Sequence, residues 1–329
     1  MIWLTWRQHR RTALIFGAAI ALLAAFFVVT GLLIHQAYYQ EVGGVSVATC
    51  DAQQQLPPPG CNALTSAFIE TWFPLSRYPL FALAFLPALA GVFLGAPLVA
   101  RELETGSYRL AWTQSVTRLR WLAIMVGLVI GVTAVVCAIF IPLLRWWNPL
   151  LGQDFGLGGG SYDYGGTLPI AYLVFALALG IAAGTLLRRT VPAMFATLVG
   201  YTAVRLPFEL WARSRLIPPM TATWDPMVSS GPTIGSNVWL IFSGYADKSG
   251  NPIYPPFTLY NTCAPTGEMD ARPGSAFTTC LHAHGWLATM IWQPGSRYWL
   301  FQGIESGVYL ALAILLIALV VWWVRRRIA

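Results

Sequence analysis

Apolar residues fill long uninterrupted runs of this chain, and the charged residues gather in short clusters between them. Ala13 to Ile34 carries no charge and would measure about 33 Å as a helix, enough to cross a hydrocarbon core. Pro79 to Ala100, Trp121 to Leu144, Leu168 to Leu187 and Gly303 to Trp323 have the same character. Val191 to Trp211 makes a sixth run, although Arg205 and Glu209 lie in its last turns. The pattern predicts an all-α membrane protein with six transmembrane helices. Ahead of the first run, MIWLTWRQHRR sets Trp3 and Trp6 three apart and groups Arg7, Arg10 and Arg11. That composition predicts an N-terminal interfacial helix, its indoles at headgroup depth and its guanidiniums toward anionic lipid. A cleaved signal peptide is the competing reading. The run is longer than an h-region of about 7–15 residues and no A-x-A-like site closes it, so a retained span is expected.

The basic residues orient these spans. With the N-terminus inside, the inner segments hold Arg7, Arg10 and Arg11, then Arg101, Arg109, Arg118 and Arg120, then Arg188 and Arg189, and finally Arg325, Arg326 and Arg327. Glu102 and Glu104 are the acids among them, whereas the outer segments dilute their basic residues over longer sequence and carry more acids than bases. The positive-inside rule therefore places both termini in the cytoplasm. The resulting division is an interfacial helix and first span at 1–34, an outer loop at 35–78, and the second and third spans at 79–144. An outer loop with the fourth and fifth spans follows at 145–211, then a large extracytoplasmic loop at 212–302, then the sixth span and a basic tail at 303–329. A loop of that size, rich in Pro, Trp and Tyr, is expected to fold against the membrane domain rather than to act as a simple connection.

Composition agrees: 57% of the 329 residues are hydrophobic and 10% charged, which lies outside soluble globular usage. The net charge of +7 does not point to nucleic acid, because the basic residues sit at the ends of apolar runs and not on one soluble face. Lys248 is the single lysine, and no G-x-x-x-x-G-K-[ST] string exists. Any dependence on ATP must come from another chain.

Few residues offer chemistry. His282 and His284 beside Cys280 form a fragment of a metal site without further ligands at a recognisable spacing, so no metal is expected. No G-x-S-x-G elbow is present, and the Gly-rich stretch from Gly156 to Gly166 reads as a flexible connection. Cys50 with Cys61 and Cys263 with Cys280 are even pairs within two outer loops, which predicts two local disulfides. Cys137 lies inside a span as an apolar filler. The spans contain hydroxyls such as Thr133, Thr185 and Thr197 but no Asp, Glu or His near a midplane, unlike an ion-coupled transporter. Arg205 and Glu209 are four apart near the outer boundary, with Glu305 at the start of the last span, and form a structural ion pair or a gate. Gly91 with Gly95, Gly127 with Gly131 and Gly180 with Gly184 have the spacing that lets helices approach closely.

The most charged stretch is RELETGSYRLAWTQSVTRLRW, Arg101 to Trp121. After Gly106, Tyr108, Trp112, Val116 and Leu119 recur at helical spacing while Arg109, Thr113, Arg118 and Arg120 lie largely opposite. This predicts a short amphipathic helix along the membrane surface; the plainer alternative is a positive loop that fixes topology alone.

Together with the six-span layout, two stretches resemble the ABC-2-type permeases, membrane subunits of bacterial ABC exporters. Gly95 to Trp121 is similar to that family's loop between the second and third spans, with an acidic pair, a Gly followed by Ser, and a helix ending near a Ser/Thr-x-Arg. WQPGSRYWLFQGIE, Trp292 to Glu305, is similar to the segment leading into the last span in one subgroup. The departures are Ser107 where Thr is commoner, Trp121 to Ile124 where a Lys is expected, and a longer outer loop. The resemblance implies that Glu102, Glu104, Gly106, Arg109, Arg118 and Arg120 belong to a coupling helix at 101–120 that docks on a separate ATPase subunit. It also implies a dimer with itself or a second permease, ATP–Mg held by the partner and no cofactor of the chain's own. The setting is a bacterial cytoplasmic membrane, with an amphiphilic, drug-like or lipid-like cargo exported. Two alternatives are a membrane-bound enzyme acting on lipid-linked substrates through Asp225, Asp247, Glu268 or Asp270, and a permease-like sensor or immunity protein that transports nothing.

Overall fold

The computed structural model describes residues 2–52, 58–106, 117–147, 156–157, 162–235, 237–248, 262–264 and 270–327. Two compact units emerge: Met1–Phe155 with Asp163–Thr202 and Ser306–Ala329, and Gly156–Tyr162 with Ala203–Glu305. Six helices are long and apolar enough to cross a membrane, over Gly17–Tyr39, Leu86–Thr105, Arg120–Trp147, Leu168–Leu187, Thr190–Arg215 and Gly295–Arg326.

Helix α1 (Ile2–Tyr39) runs unbroken through the first span. The expected interfacial helix is therefore its N-terminal continuation; no Gly or Pro separates MIWLTWRQHRR from the apolar run, so nothing interrupts the hydrogen-bond ladder. The side chains of Trp3, Trp6, Arg7, Arg10 and Arg11 lie outside the described residues. The expected outer loop at 35–78 also holds regular structure: the end of α1, the short α2 (Val47–Ala52), and most of α3 (Cys61–Ala84). Cys50 is bonded to Cys61 with an S–S distance of 2.02 Å, joining α2 to the start of α3.

The second span is assembled from α4 (Leu86–Ala90), a π turn (Gly91–Gly95) and α5 (Ala96–Thr105). The π turn has a local cause in Pro97. Proline cannot donate to the Phe93 carbonyl and its ring would clash there, and widening the turn relieves both, with Ala96 N–H donating five residues back to Gly91. Helix α6 (Arg118–Trp147) is the third span, α7 (Leu168–Leu187) the fourth and α8 (Thr190–Pro207) most of the fifth.

Burial ranks the spans of the first unit. The Leu168–Leu187 span is 72% buried inside the protein and Leu86–Thr105 61%, against 17% for the first and third. The second and fourth spans are thus the interior, and the reason is their glycines. A methyl group on Gly91 would stand 2.5 Å from the Ala176 carbonyl oxygen, on Gly95 2.8 Å from that of Leu177, and on Gly184 2.5 Å from that of Ala96. One on Gly180 would collide with the Gly91 carbonyl and the Ala96 nitrogen. Backbone meets backbone here, the approach that small-xxx-small spacing permits. Gly127 and Gly131 meet nothing, and their face of α6 is exposed. Around this axis Leu98, Val99, Trp121, Leu122, Met125, Ile181, Val320 and Val324 close one cluster, and apart from it Phe27, Ile34, Phe68, Leu144 and Trp147 join α1, α3 and α6 in another. Leu22, Val29, Leu32, Val132, Val135, Ile139, Val191, Phe195, Ile314 and Leu315 stay exposed, as lipid-facing side chains should.

The fold is mostly helical with six candidate spans, as expected, and the second unit adds a small sheet. Met220–Trp224 (β1), Trp239–Ala246 (β2) and Leu287–Gln293 (β3) form an antiparallel sheet in the order β1-β3-β2, with Ala222 opposite Met290 and Gly244 opposite Thr289. MTATW, WLIFSGYA and LATMIWQ are short, β-branched and aromatic, composition that favours a pleated surface over a helix. Helix α9 (Ala276–Ala283) begins where the Ser275 hydroxyl accepts the Thr278 N–H, and buries Phe277 and Leu281 with Ala264 against Tyr245 and Trp286. Cys263 is bonded to Cys280, S–S 1.98 Å, across the same cluster. Helix α10 (Tyr298–Arg327) contains the last span.

Gly180→Ala is expected to lower the thermal unfolding temperature in detergent through overpacking of about 1–3 kcal/mol. Gly127→Ala, with open space for the methyl group, should leave it unchanged or raise it through the better helix propensity of Ala.

Candidate functional site

The predicted coupling stretch begins where α5 stops. Gly106 takes φ 73°, a left-handed conformation that glycine adopts without steric cost, and ends the helix. Residues 107–116, Arg109 among them, and the side chain of Arg118 lie outside the described residues. The flanks are clear. Arg101 and Arg120 are exposed, while Glu102 is buried with 9% of its surface accessible.

Glu104, exposed in the last turn of α5, accepts two hydrogen bonds at Oε2, from the Thr190 hydroxyl at 2.7 Å and the Thr190 backbone N–H at 3.1 Å. Thr190 opens α8, where the first-turn N–H groups have no partner within the helix and carry partial positive charge. Sequence reasoning found Glu104 but not Thr190. The local signal was that RRT (188–190) separates two apolar runs, as a turn between two spans should. That turn is tight: Arg188 takes φ 55° and its N–H bonds the Gly184 carbonyl.

A second polar cluster lies in the second unit. Glu305 is fully buried. Arg213 grips it bidentately, Nε to Oε2 at 3.0 Å and a terminal nitrogen to Oε1 at 2.9 Å, while Arg205 reaches Oε1 at 3.4 Å and Glu209 at 3.3 Å. The Arg213 guanidinium also stacks 4.7 Å above the Tyr162 ring, and Gln302 donates to the Tyr162 carbonyl at 3.1 Å. The structure thus brings together Arg205, Glu209 and Glu305, the three residues read from sequence, and adds Arg213, the principal partner. Its spacing of 205, 209 and 213 was the available signal, obscured by the π turn (Phe208–Ala212) and the 3-10 turn (Arg213–Arg215) that carry it. Two guanidiniums about one buried carboxylate supply charge-assisted hydrogen bonds that offset the cost of burying it.

The carboxylates of the rival enzyme reading are otherwise engaged. Asp225 accepts the Met227 N–H at 2.9 Å and contacts the His282 ring, and chiefly the first of these holds its carboxyl below the usual aspartate range. Asp270 is held low by the bidentate Arg272 guanidinium. Both shifts favour the ionised form, the reverse of what a general acid needs. Asp247 lies elsewhere, at the end of β2, and Glu268 is outside the described residues. Cys263, Cys280 and His284 bring ligand atoms within 4.8 Å of one another, but the two sulfurs are spent on their disulfide.

Six helices of spanning length and apolar composition define a multi-pass helical membrane protein. Residues 17–213 match the family described as ABC-2 membrane transporter related, and the chain belongs to that family. Comparison with curated proteins and with solved structures finds no match.

Glu305→Ala should remove the shared partner of two largely enclosed arginines, leaving Arg205 with Glu209 alone, and cost roughly 3 kcal/mol, read as a drop in thermal stability in detergent. Glu209→Ala, at a side chain 41% exposed, should cost less than about 1 kcal/mol.

Proposed function

We propose that this chain is the permease subunit of an ATP-driven exporter in a bacterial cytoplasmic membrane, with both termini inside. It pairs with itself or a related permease and with two separate ATPase subunits, which hold the ATP–Mg. The carrying observation is the family match over 17–213, which contains the charged stretch between the second and third spans. Nucleotide binding closes the ATPase pair, displaces the segment from Glu102 to Arg120 and tilts the spans toward an outward-open state. This requires that the ATPases bind the two membrane conformations with different free energy, since equal affinity shifts no population.

The substrate is amphiphilic, drug-like or lipid-like. An apolar cleft of about 270 Å³ between α6, α7 and α10, lined by residues such as Val126, Ile130, Val174, Leu310 and Ile314, suits an alkyl or aromatic portion. The same lining offers no charged group to a sugar or an ion.

Affinity purification of the tagged chain from its native membrane should capture an ATPase whose hydrolysis rate changes on Arg120→Ala or Glu104→Ala. Capture of no ATPase, or a rate indifferent to both substitutions, would remove the coupling reading. Substrate turnover by the chain alone without nucleotide would favour the enzyme instead.

A further inference from the structure

We infer that Thr190 is a positioning residue for the coupling segment: its two bonds to Glu104 make the turn between the fourth and fifth spans move together with that segment. The inference rests on the coupling reading above and extends it to a residue outside the 101–120 stretch.

Glu104 stands two residues before Gly106, so a push on the chain beyond the helix stop arrives almost directly at its backbone. Its carboxylate is joined to a residue 86 positions away, and both donors of Thr190 meet the same oxygen. These bonds are charge-assisted and aligned with the positive end of an 18-residue helix, hence stronger than a neutral surface contact. The receiving element has little slack. Arg188 sits in the left-handed region that disfavours a side chain, and its N–H is tied back to Gly184. Behind the polar contact, Ala96, Ala100 and Ala193 are buried in one cluster, and Gly184 lies against the Ala96 carbonyl. Apart from Met194 at its edge, the contact is made of small side chains, which leave few long rotamers to absorb a displacement between α5, α7 and α8. Packing holds these three helices side by side, and the Glu104–Thr190 bonds fix their ends.

The test uses the full chain with its co-purified ATPase in lipid nanodiscs, followed by hydrogen exchange with and without ATP and vanadate. In the unaltered protein, nucleotide should change exchange both at 101–106 and at 186–194. In Thr190→Val, which loses the hydroxyl donor, the ATPase should still co-purify and the response at 101–106 should persist. The response at 186–194 should fall severalfold. Thr190→Ser should restore it, which a purely packing role would not predict, and Glu104→Ala, which removes the acceptor of both bonds, should reproduce the loss at 186–194 should Thr190→Val fail to fold. An undiminished response at 186–194 in Thr190→Val would overturn the inference and leave the permease reading standing. If the unaltered chain captures no ATPase, the permease reading falls and this inference with it.

Discussion

The membrane domain depends on one constraint: the second and fourth spans touch backbone to backbone. Gly91, Gly95, Gly180 and Gly184 allow this, and each is a place where even a methyl group would meet a carbonyl oxygen or an amide nitrogen of the facing helix. In lipid no hydrophobic force drives helices together, so such contact, with its dense dispersion and weak C–H···O attraction, has to supply the association. The Pro97 π turn belongs to the same arrangement, since it places Gly91 and Gly95 in the widened segment that faces α7. The interior helices are in consequence the two with the fewest exposed side chains, and the remaining spans of the first unit present apolar surface outward.

That rigid pair gives meaning to the polar contact at its end. A close-packed, side-chain-poor interface transmits displacement instead of absorbing it. The charged chain that follows Gly106 is continuous with one of the two helices, and Glu104 ties that helix to the start of α8. In the second unit a different solution appears: Glu305 is completely buried and is held by Arg205 and Arg213. Arg213 balances the Glu305 charge, and Arg205 is shared between Glu305 and the more exposed Glu209.

Much of this was legible in the sequence because hydropathy in spans of twenty or so residues leaves little choice of structure. The fourth span has the same bounds, Leu168–Leu187, in sequence and structure. The apolar run Pro79 to Ala100 overlaps the candidate span Leu86–Thr105, whose helix continues through Arg101, Glu102 and Glu104. A helix can carry such residues in its last turn when one is buried and another is bonded by a neighbouring helix. Three features were hidden for physical reasons. The strands of the second unit are short and separated by Pro- and Gly-rich sequence, and their pairing is non-local. Which glycine pairs are used depends on facing helices, so Gly127 and Gly131 looked equivalent to Gly180 and Gly184. Thr190 and Arg213 matter through partners 86 and 92 residues away, a distance no periodicity reports.

The central claim is that the segment after α5 faces the compartment where ATP is available. A single cysteine at Thr105, exposed beside Gly106, tests it most directly with a membrane-impermeant thiol reagent. The account predicts no labelling in intact cells and full labelling in inverted membrane vesicles, while a cysteine at exposed Gly274 shows the opposite pattern. Labelling of Thr105→Cys from outside intact cells would contradict it, since no ATPase could reach that segment.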